Sequence, residues 1–430
     1  MGNVYLPRVV DNELKDRLDY IGAVLIEGPK WCGKTTTAEQ IAKSILKMQD
    51  PDTFQSNMMM AETKPSLLLK GDKPRLLDEW QVAPVLWDAV RTDIDNIGEF
   101  GQYILTGSNS VDTDKIHHSG TGRIDRMTML PMSLYESNDS NGKISLKELF
   151  YNNNLDIDGI NSELTIEKLV YVASRGGWPL SLKLDDNKKA LNTAKSYVRS
   201  VCNVDINTID DVKRNPKRME AIMKSYARNI SSLATDQTIL NDVIANDSSI
   251  DIRTLKSYLL ALQKLFVIYE VPAWNPNIRS AGAIRSSNKR EYVDPSIAVA
   301  ALGVGPDELL YDLNTFGFIF ETLCIRDLRV YSSSLGGLVS YYHDKYDLEA
   351  DAVLHLEDGK YALIEIKLGS KQIEDGAKHL LKIRDLIRKR NDSALGKMRE
   401  PDLLIVLTGG NMAYTRNDGV KIIPIGCLKP

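Results

Sequence analysis

Ala23-Val-Leu-Ile-Glu-Gly-Pro-Lys-Trp-Cys-Gly-Lys-Thr-Thr-Thr-Ala38 decides how this 430-residue chain is read. An apolar strand runs into Gly28, Gly33-Lys34-Thr35 follow four residues later, and residues of helical composition continue from Thr36 to Leu46. Strand, glycine-rich turn and helix in that order form a phosphate-binding loop, or P-loop. The chemistry explains the spacing. Backbone amides of Gly28, Lys30, Trp31, Cys32, Gly33 and Lys34 surround a phosphate chain, with Pro29 shaping the turn but donating nothing. Lys34 reaches the β- and γ-phosphates, Thr35 offers its hydroxyl to Mg²⁺, and Thr36 continues the first helical turn.

Downstream, Ser66-Leu-Leu-Leu69 suits a second strand, and Lys73-Pro-Arg-Leu-Leu-Asp78-Glu79-Trp-Gln81 a short apolar strand ending in two carboxylates. Beside a P-loop that ending has a use: Asp78 holds Mg²⁺ and Glu79 orients and deprotonates the attacking water. Val85 to Ile97 has helical periodicity. Tyr103-Ile-Leu-Thr106-Gly-Ser108-Asn109 is a further strand ending in small polar side chains. In a parallel sheet the carboxyl ends of strands face the ligand, so Thr106, Ser108 or Asn109 can sense the γ-phosphate, Ser108 being favoured.

Bulk properties narrow the setting. The length implies two to four domains, and a formal charge of −4 argues against a wholesale polyanion binder while leaving room for local basic faces. Cys32, Cys202, Cys324 and Cys427 are far apart and in no metal-type spacing, as expected of a reducing compartment. No run of eighteen apolar residues occurs and Met1 to Arg17 has no apolar signal region, so a soluble cytoplasmic protein without a membrane partner is expected.

Several runs together resemble one family. Gly-Pro-Lys30 with Gly-Lys-Thr-Thr36, Leu77-Asp-Glu-Trp-Gln81, Leu105-Thr-Gly-Ser108, Gly122-Arg123 before Leu130-Pro-Met-Ser133 and Glu136, and Gly176-Gly-Trp-Pro179 are similar to prokaryotic AAA+ ATPases whose ATPase module precedes a C-terminal domain of unknown function. The resemblance implies an AAA+-like fold, ATP with Mg²⁺, and Arg123 as an arginine finger acting in cis or in trans. A structural ion pair is the plainer role for Arg123.

In the middle of the chain, Leu164 to Tyr171, Leu191 to Val204 and Lys217 to Leu233 read as helices. Asp251-Ile-Arg-Thr-Leu-Lys-Ser-Tyr-Leu-Leu-Ala-Leu-Gln-Lys-Leu-Phe266 carries Leu255, Tyr258, Leu259, Leu262, Leu265 and Phe266 at helical spacing, with Asp251 as its cap. A strand-like Val267 to Val271 follows, which is winged-helix order. Arg253, Thr254, Lys256 and Ser257 on the polar face suit either DNA contact or a solvated surface. Lys289-Arg290-Glu-Tyr-Val-Asp-Pro295 reads as a structural connection.

The last region holds a second constellation. Thr315 to Leu328 is helical, with Glu321 beside an inward Phe316, Ile319, Phe320 and Leu323. Leu348 to Leu356 and Tyr361 to Lys367 form a hairpin about Asp358-Gly359. Strand alternation places Glu365 and Lys367 on one face, and pairing brings Asp351 opposite residue 365 or 366. Asp351, Glu365 and, further out, Glu321 can hold Mg²⁺ while Lys367 orients a water or stabilises a pentavalent phosphate. Asp, thirteen residues, then Glu-x-Lys resembles the PD-(D/E)xK nuclease core, which a following helix (Ile373 to Arg388) and strand (Asp402 to Leu407) also suit. Ala350 stands where that motif carries proline.

The fold class expected is α/β: a P-loop AAA+-like ATPase domain (residues 1–160), a helical and winged-helix-like middle (161–305) and a restriction-endonuclease-like α/β domain (306–430). The function expected is ATP hydrolysis with Mg²⁺ coupled to a nucleic-acid-related C-terminal domain. The alternatives are a nucleotide-gated switch that only binds DNA or protein, and an ATP-dependent nuclease. Self-association or a protein partner stays open.

Overall fold

The structure is a computed structural model that describes residues 5–108, 119–152, 154–245, 247–277, 286–344, 348–393 and 397–430. Asn109 therefore lies outside the described residues. The chain folds into two compact units: Met1–Pro131 with Asp205–Val212 and Leu260–Val267, and Met132–Val204 with Lys213–Leu259 and Ile268–Pro430. Where sequence placed a boundary near residue 160, the chain leaves the first unit at Pro131 and returns to it twice.

The first unit is built on a parallel sheet of β1 (Ala23–Glu27), β2 (Ser44–Lys47), β3 (Arg75–Asp78), β4 (Tyr103–Gly107) and β5 (Ile124–Thr128), in the order β2-β3-β4-β1-β5. A parallel strand covered on both faces must be apolar throughout, and β1 is: Ala23 and Leu25 join one core, Val24 and Ile26 the other. Helix Val85–Ile97 presses Leu86, Trp87, Val90 and Ile94 into the first core, and helix Val10–Leu18 presses Val10, Leu14 and Leu18 into the second. Register pairs Glu27 with Gly107 and Asp78 with Thr106, so the ends of β1, β3 and β4 meet at one edge of the sheet.

Two expected elements differ. The helix after the P-loop spans only Lys34–Glu39, and Ser44–Lys47, expected as its continuation, is the edge strand β2 paired with β3. Pairing with an exposed strand edge outweighs helical composition in so short a run. Ser66-Leu-Leu-Leu69 is no strand: Pro65 opens a 3-10 turn over Pro65–Leu67, and Leu68 and Leu69 are buried in the core.

The second unit begins with β6 (Ile144–Ser145) and continues through helices Ile166–Arg175, Asn187–Asn203, Pro216–Arg228 and Asp236–Ile244. Helix Ile252–Lys264, which runs on into the first unit's segment, is capped as expected by Asp251, whose carboxylate accepts the Thr254 amide at 2.7 Å. β7 (Ile268–Val271) and β8 (Lys289–Tyr292) then form an antiparallel pair.

Helix Leu313–Ser333 leads into the second sheet: β9 (Leu338–His343), β10 (Glu349–His355), β11 (Tyr361–Lys367), β12 (Leu403–Thr408), β13 (Tyr414–Thr415) and β14 (Lys421–Pro424). Their order is β13-β14-β12-β11-β10-β9. β9 to β11 are antiparallel, and helix Ile373–Ser393 crosses over to a parallel β12. Ile373, Ala377, Leu380, Ile383 and Ile387 of that helix cover Val353, Leu363, Leu404 and Val406. The closing strand β15 (Leu428–Lys429) lies parallel to β6.

The Gly176-Gly177 motif serves packing. A Cβ at Gly177 would stand 2.0 Å from the Met132 carbonyl oxygen. The Gly177 amide donates to buried Asp294, which also pairs with Arg326 at 2.9 Å, and Arg326 pairs with Asp327 at 2.6 Å. Asp327 in turn accepts the Leu134 amide, so four distant segments are tied together by one buried charge network.

Candidate functional site

At the shared edge of the first sheet, Gly28 takes φ +153° and runs so close to the Met129 carbonyl that a Cβ would meet it at 2.1 Å, so only glycine fits. Gly33, at φ +104°, turns the chain into helix Lys34–Glu39. Lys34 is buried, its ammonium donating to the carbonyls of Gly28 (3.0 Å) and Pro29 (2.8 Å). Cys32 is a buried free thiol, and Trp31 stands partly exposed at φ +67°. Lys30 forms an ion pair with Asp205 at 2.7 Å, on a segment of the same unit. Thr36 follows in the first turn of the helix.

The acids close this loop. The hydroxyls of Thr35 and Thr106 both donate to Asp78 Oδ1, each at 2.6 Å. Hydrogen bonds to a charged group are worth about 1.5–3 kcal/mol each, enough to fix one carboxylate orientation. Glu79 adopts φ +55°, a left-handed conformation that costs a non-glycine residue on the order of 1 kcal/mol and is commonest at functional sites. Its carboxylate accepts Ser108 Oγ at 3.1 Å and is contacted by the Gln81 amide. The Glu79 amide donates to Thr106 Oγ1 at 3.3 Å. Hard oxygens of Thr35 and Asp78, side by side, suit Mg²⁺, which takes one or two carboxylates and fills its shell with phosphate oxygens and water.

In the second unit the C-terminal acids do meet, but around ammonium groups. Register pairs Ala352 with Ile364, which sets Asp351 opposite Glu365, and an irregularity between Ala350 and Val353 interrupts the pairing with β9 there. Asp351 Oδ2 accepts the Ile366 amide at 2.7 Å and Lys367 Nζ at 3.0 Å. Lys367 also pairs with Glu365, whose other oxygen lies 3.4 Å from His379 Nδ1. Lys289 Nζ donates to Glu321 at 2.7 Å and lies 3.7 Å from Asp351 Oδ1.

Burial pushes the Glu321 and Glu365 carboxyls up to about 8 each. Burial would raise Asp351 as well, yet Lys289, Lys367 and the Ile366 amide together hold it below its ordinary value. Lys289 is raised against its own burial, by Glu321 first and then Asp351. Gly376 lets helix Ile373–Ser393 ride over the cluster: a Cβ there would lie 3.3 Å from Glu365 Cβ. A cleft of about 710 Å³ opens beside it, lined by Phe318, Glu321, Ile366, Lys367, Leu368 and Gln372.

Residues 21–138 match the family profile described as an AAA domain. Together with the order of the parallel sheet and the closed P-loop, that match decides the first unit. Residues 21–138 form an AAA-like P-loop domain, a fold that binds nucleotide. Residues 166–308 and 316–428 match two families described only as domains of unknown function (DUF8612 and DUF4143). No curated protein matches the chain. Among solved structures, the chain is similar to a Walker-type ATPase of Pyrococcus abyssi (15% identity, 68% of this chain and 94% of that one, TM-score 0.42). A DNA replication initiation factor (13%, 60% and 92%, 0.26) and Drosophila ORC bound to DNA (13%, 71% and 84%, 0.21) also align.

In the AAA-like domain the structure brings Lys34, Thr35, Asp78, Glu79 and Ser108 to one edge. It does not bring Arg123 there. Arg123 precedes β5, whose first residue pairs with Ala23 at the start of β1, so it lies at the opposite edge of the sheet. There it pairs with Asp95 at 2.7 Å. Among the described residues no three Asp, Glu, His or Cys side chains are gathered to hold a metal, and the expected set of Glu321, Asp351 and Glu365 has Lys289 and Lys367 as its neighbours. Sequence reading missed Thr106 as the second donor to Asp78, Gln81 as a neighbour of Glu79, and Lys289 as a partner of the acids, having taken it only as part of a structural connection. Among the described residues no helix is long and apolar enough to cross a membrane.

Proposed function

We propose that the protein is an Mg²⁺-dependent ATP hydrolase whose C-terminal region binds nucleic acid without cutting it. The observation that carries the first part is the Thr35–Asp78–Thr106 cluster beside Glu79 in its strained backbone. With ATP bound, Lys34 would exchange its carbonyl partners for β- and γ-phosphate oxygens, and Thr35 and Asp78 would hold an Mg²⁺ ion, whose contribution would be to neutralise charge on the phosphates. Glu79, aimed by Ser108 and Gln81, takes the proton of the attacking water. The test is binding of a fluorescent ATP analogue with Mg²⁺. Replacing Lys34 by Ala removes a charged partner worth about 2–5 kcal/mol, so affinity should fall at least about thirtyfold. Unchanged affinity would refute the site.

The reading of the C-terminal region as a binder is supported by its αβββαβ order, which is that of a PD-(D/E)xK core, combined with carboxylates already neutralised by lysines. The helix Ile252–Lys264 and the β7–β8 pair have winged-helix order, and Arg253 and Lys256 are exposed on the helix. Duplex DNA should be retarded in a gel at low salt, with no nicks in plasmid when Mg²⁺ is added. Changing Arg253 and Lys256 together to Ala should lower the slope of log affinity against log salt by about 2, one for each phosphate left without its cation. An unchanged slope removes that helix from the interface, and Mg²⁺-dependent nicking abolished by Asp351→Asn would restore the nuclease reading.

A further inference from the structure

We propose that Lys289 is the resident cation of the Glu321–Asp351–Glu365 cluster, its ammonium filling the place a divalent metal would take and holding the site metal-free. The inference shares its location with the binding reading above, but it depends on neither ATP nor DNA.

Lys289 comes from β8, far in sequence from the three acids, and its side chain is 6% exposed. It touches Glu321 at 2.7 Å and approaches one oxygen of Asp351 at 3.7 Å, while Lys367 takes the other oxygen at 3.0 Å and also pairs with Glu365. Both oxygens of Asp351 therefore face an ammonium. A magnesium or manganese ion needs carboxylate oxygens at about 2.0–2.1 Å in near-octahedral array, closer than any ammonium contact here. It would also bring two positive charges beside two ammonium groups that already sit among these carboxyls in a buried space. Coulomb repulsion at these distances in a low-dielectric interior is severe. Removing the Lys289 charge reverses this balance: three carboxyl groups would then face one ammonium, beside a cleft wide enough to admit a hydrated ion.

The experiment titrates Mn²⁺ into the nucleotide-free full chain and follows free Mn²⁺ by its electron paramagnetic resonance signal. Thr35→Ala, measured in parallel, identifies any ion held by the P-loop. Wild type should bind no Mn²⁺ that Asp351→Asn removes. Lys289→Met, which keeps an unbranched side chain without charge, should gain one site at least tenfold tighter than any in wild type, and Lys289→Met with Asp351→Asn should lose it. A wild-type Mn²⁺ site abolished by Asp351→Asn overturns the proposal, as does a folded Lys289→Met that gains none. Should Lys289→Met prove too unstable to titrate, Mn²⁺ should raise its thermal transition by more than that of wild type, and an equal or absent rise overturns the proposal equally. Loss of DNA retardation in wild type would refute the binding reading and leave this one standing.

Discussion

Glu79→Gln should slow ATP turnover about 10²- to 10⁴-fold, the usual contribution of a positioned general base, while leaving ATP affinity within a few-fold of wild type. The substitution keeps the size of the side chain and can still accept from Ser108 Oγ, so the geometry of the loop survives. What it removes is basicity at a carboxylate held by Ser108 and Gln81 and not by Thr35 and Thr106. Asp78 is so committed, through two 2.6 Å hydrogen bonds, which suits a metal ligand and disqualifies it as a base. Phosphate release at saturating Mg²⁺-ATP measures the first quantity and analogue binding the second. Turnover within threefold of wild type would move the base elsewhere; loss of binding would mean that the backbone of Glu79 shapes the pocket.

The second large effect concerns stability. Arg326 is almost fully buried between Asp294 and Asp327, which are themselves buried. Arg326→Met should lower the free energy of unfolding at pH 7 by about 3–5 kcal/mol, because breaking such a pair leaves uncompensated buried charge. The pH dependence carries its own sign. Burial raises the Asp327 carboxyl above its ordinary value even with Arg326 beside it, and removing Arg326 raises it further. A carboxyl with a raised folded-state value binds its proton more tightly folded than unfolded, so its contribution is present at low pH and lost as pH climbs through that value. The deficit of the variant should therefore shrink at pH 5 and widen at pH 8, as urea titrations at the two pH values will read. A deficit that does not change with pH would mean that lost packing, not charge, is responsible.

Much of the first site was legible because its residues sit close together along the chain and their order carries the chemistry. Lys34 and Thr35 are fixed by the P-loop, Asp78 and Glu79 by the end of one strand. Thr106 was visible only as one of three polar residues, since which of them faces Asp78 depends on register between β3 and β4. Ser44–Lys47 was misread because four residues of mixed propensity take their state from a partner strand. That Arg123 falls at the other end of the sheet was not legible, because a motif gives order and not the end of the sheet at which a residue falls. In the second unit, β10, β11 and the approach of Asp351 to Glu365 followed from alternation and one Asp-Gly turn. Lys289 did not, because 32 residues separate it from Glu321 and no periodicity links them.

The ion pair between Lys30 and Asp205 has a practical corollary. Anyone trimming this polypeptide at residue 160 to obtain a minimal catalytic fragment would amputate two returning segments, and with them Ile206, Leu262, Leu265 and Val267, all buried in the intact molecule. The severed piece would lack these side chains and leave Lys30 without its counter-charge. Autonomy of the module is thus broken by the path of the chain itself.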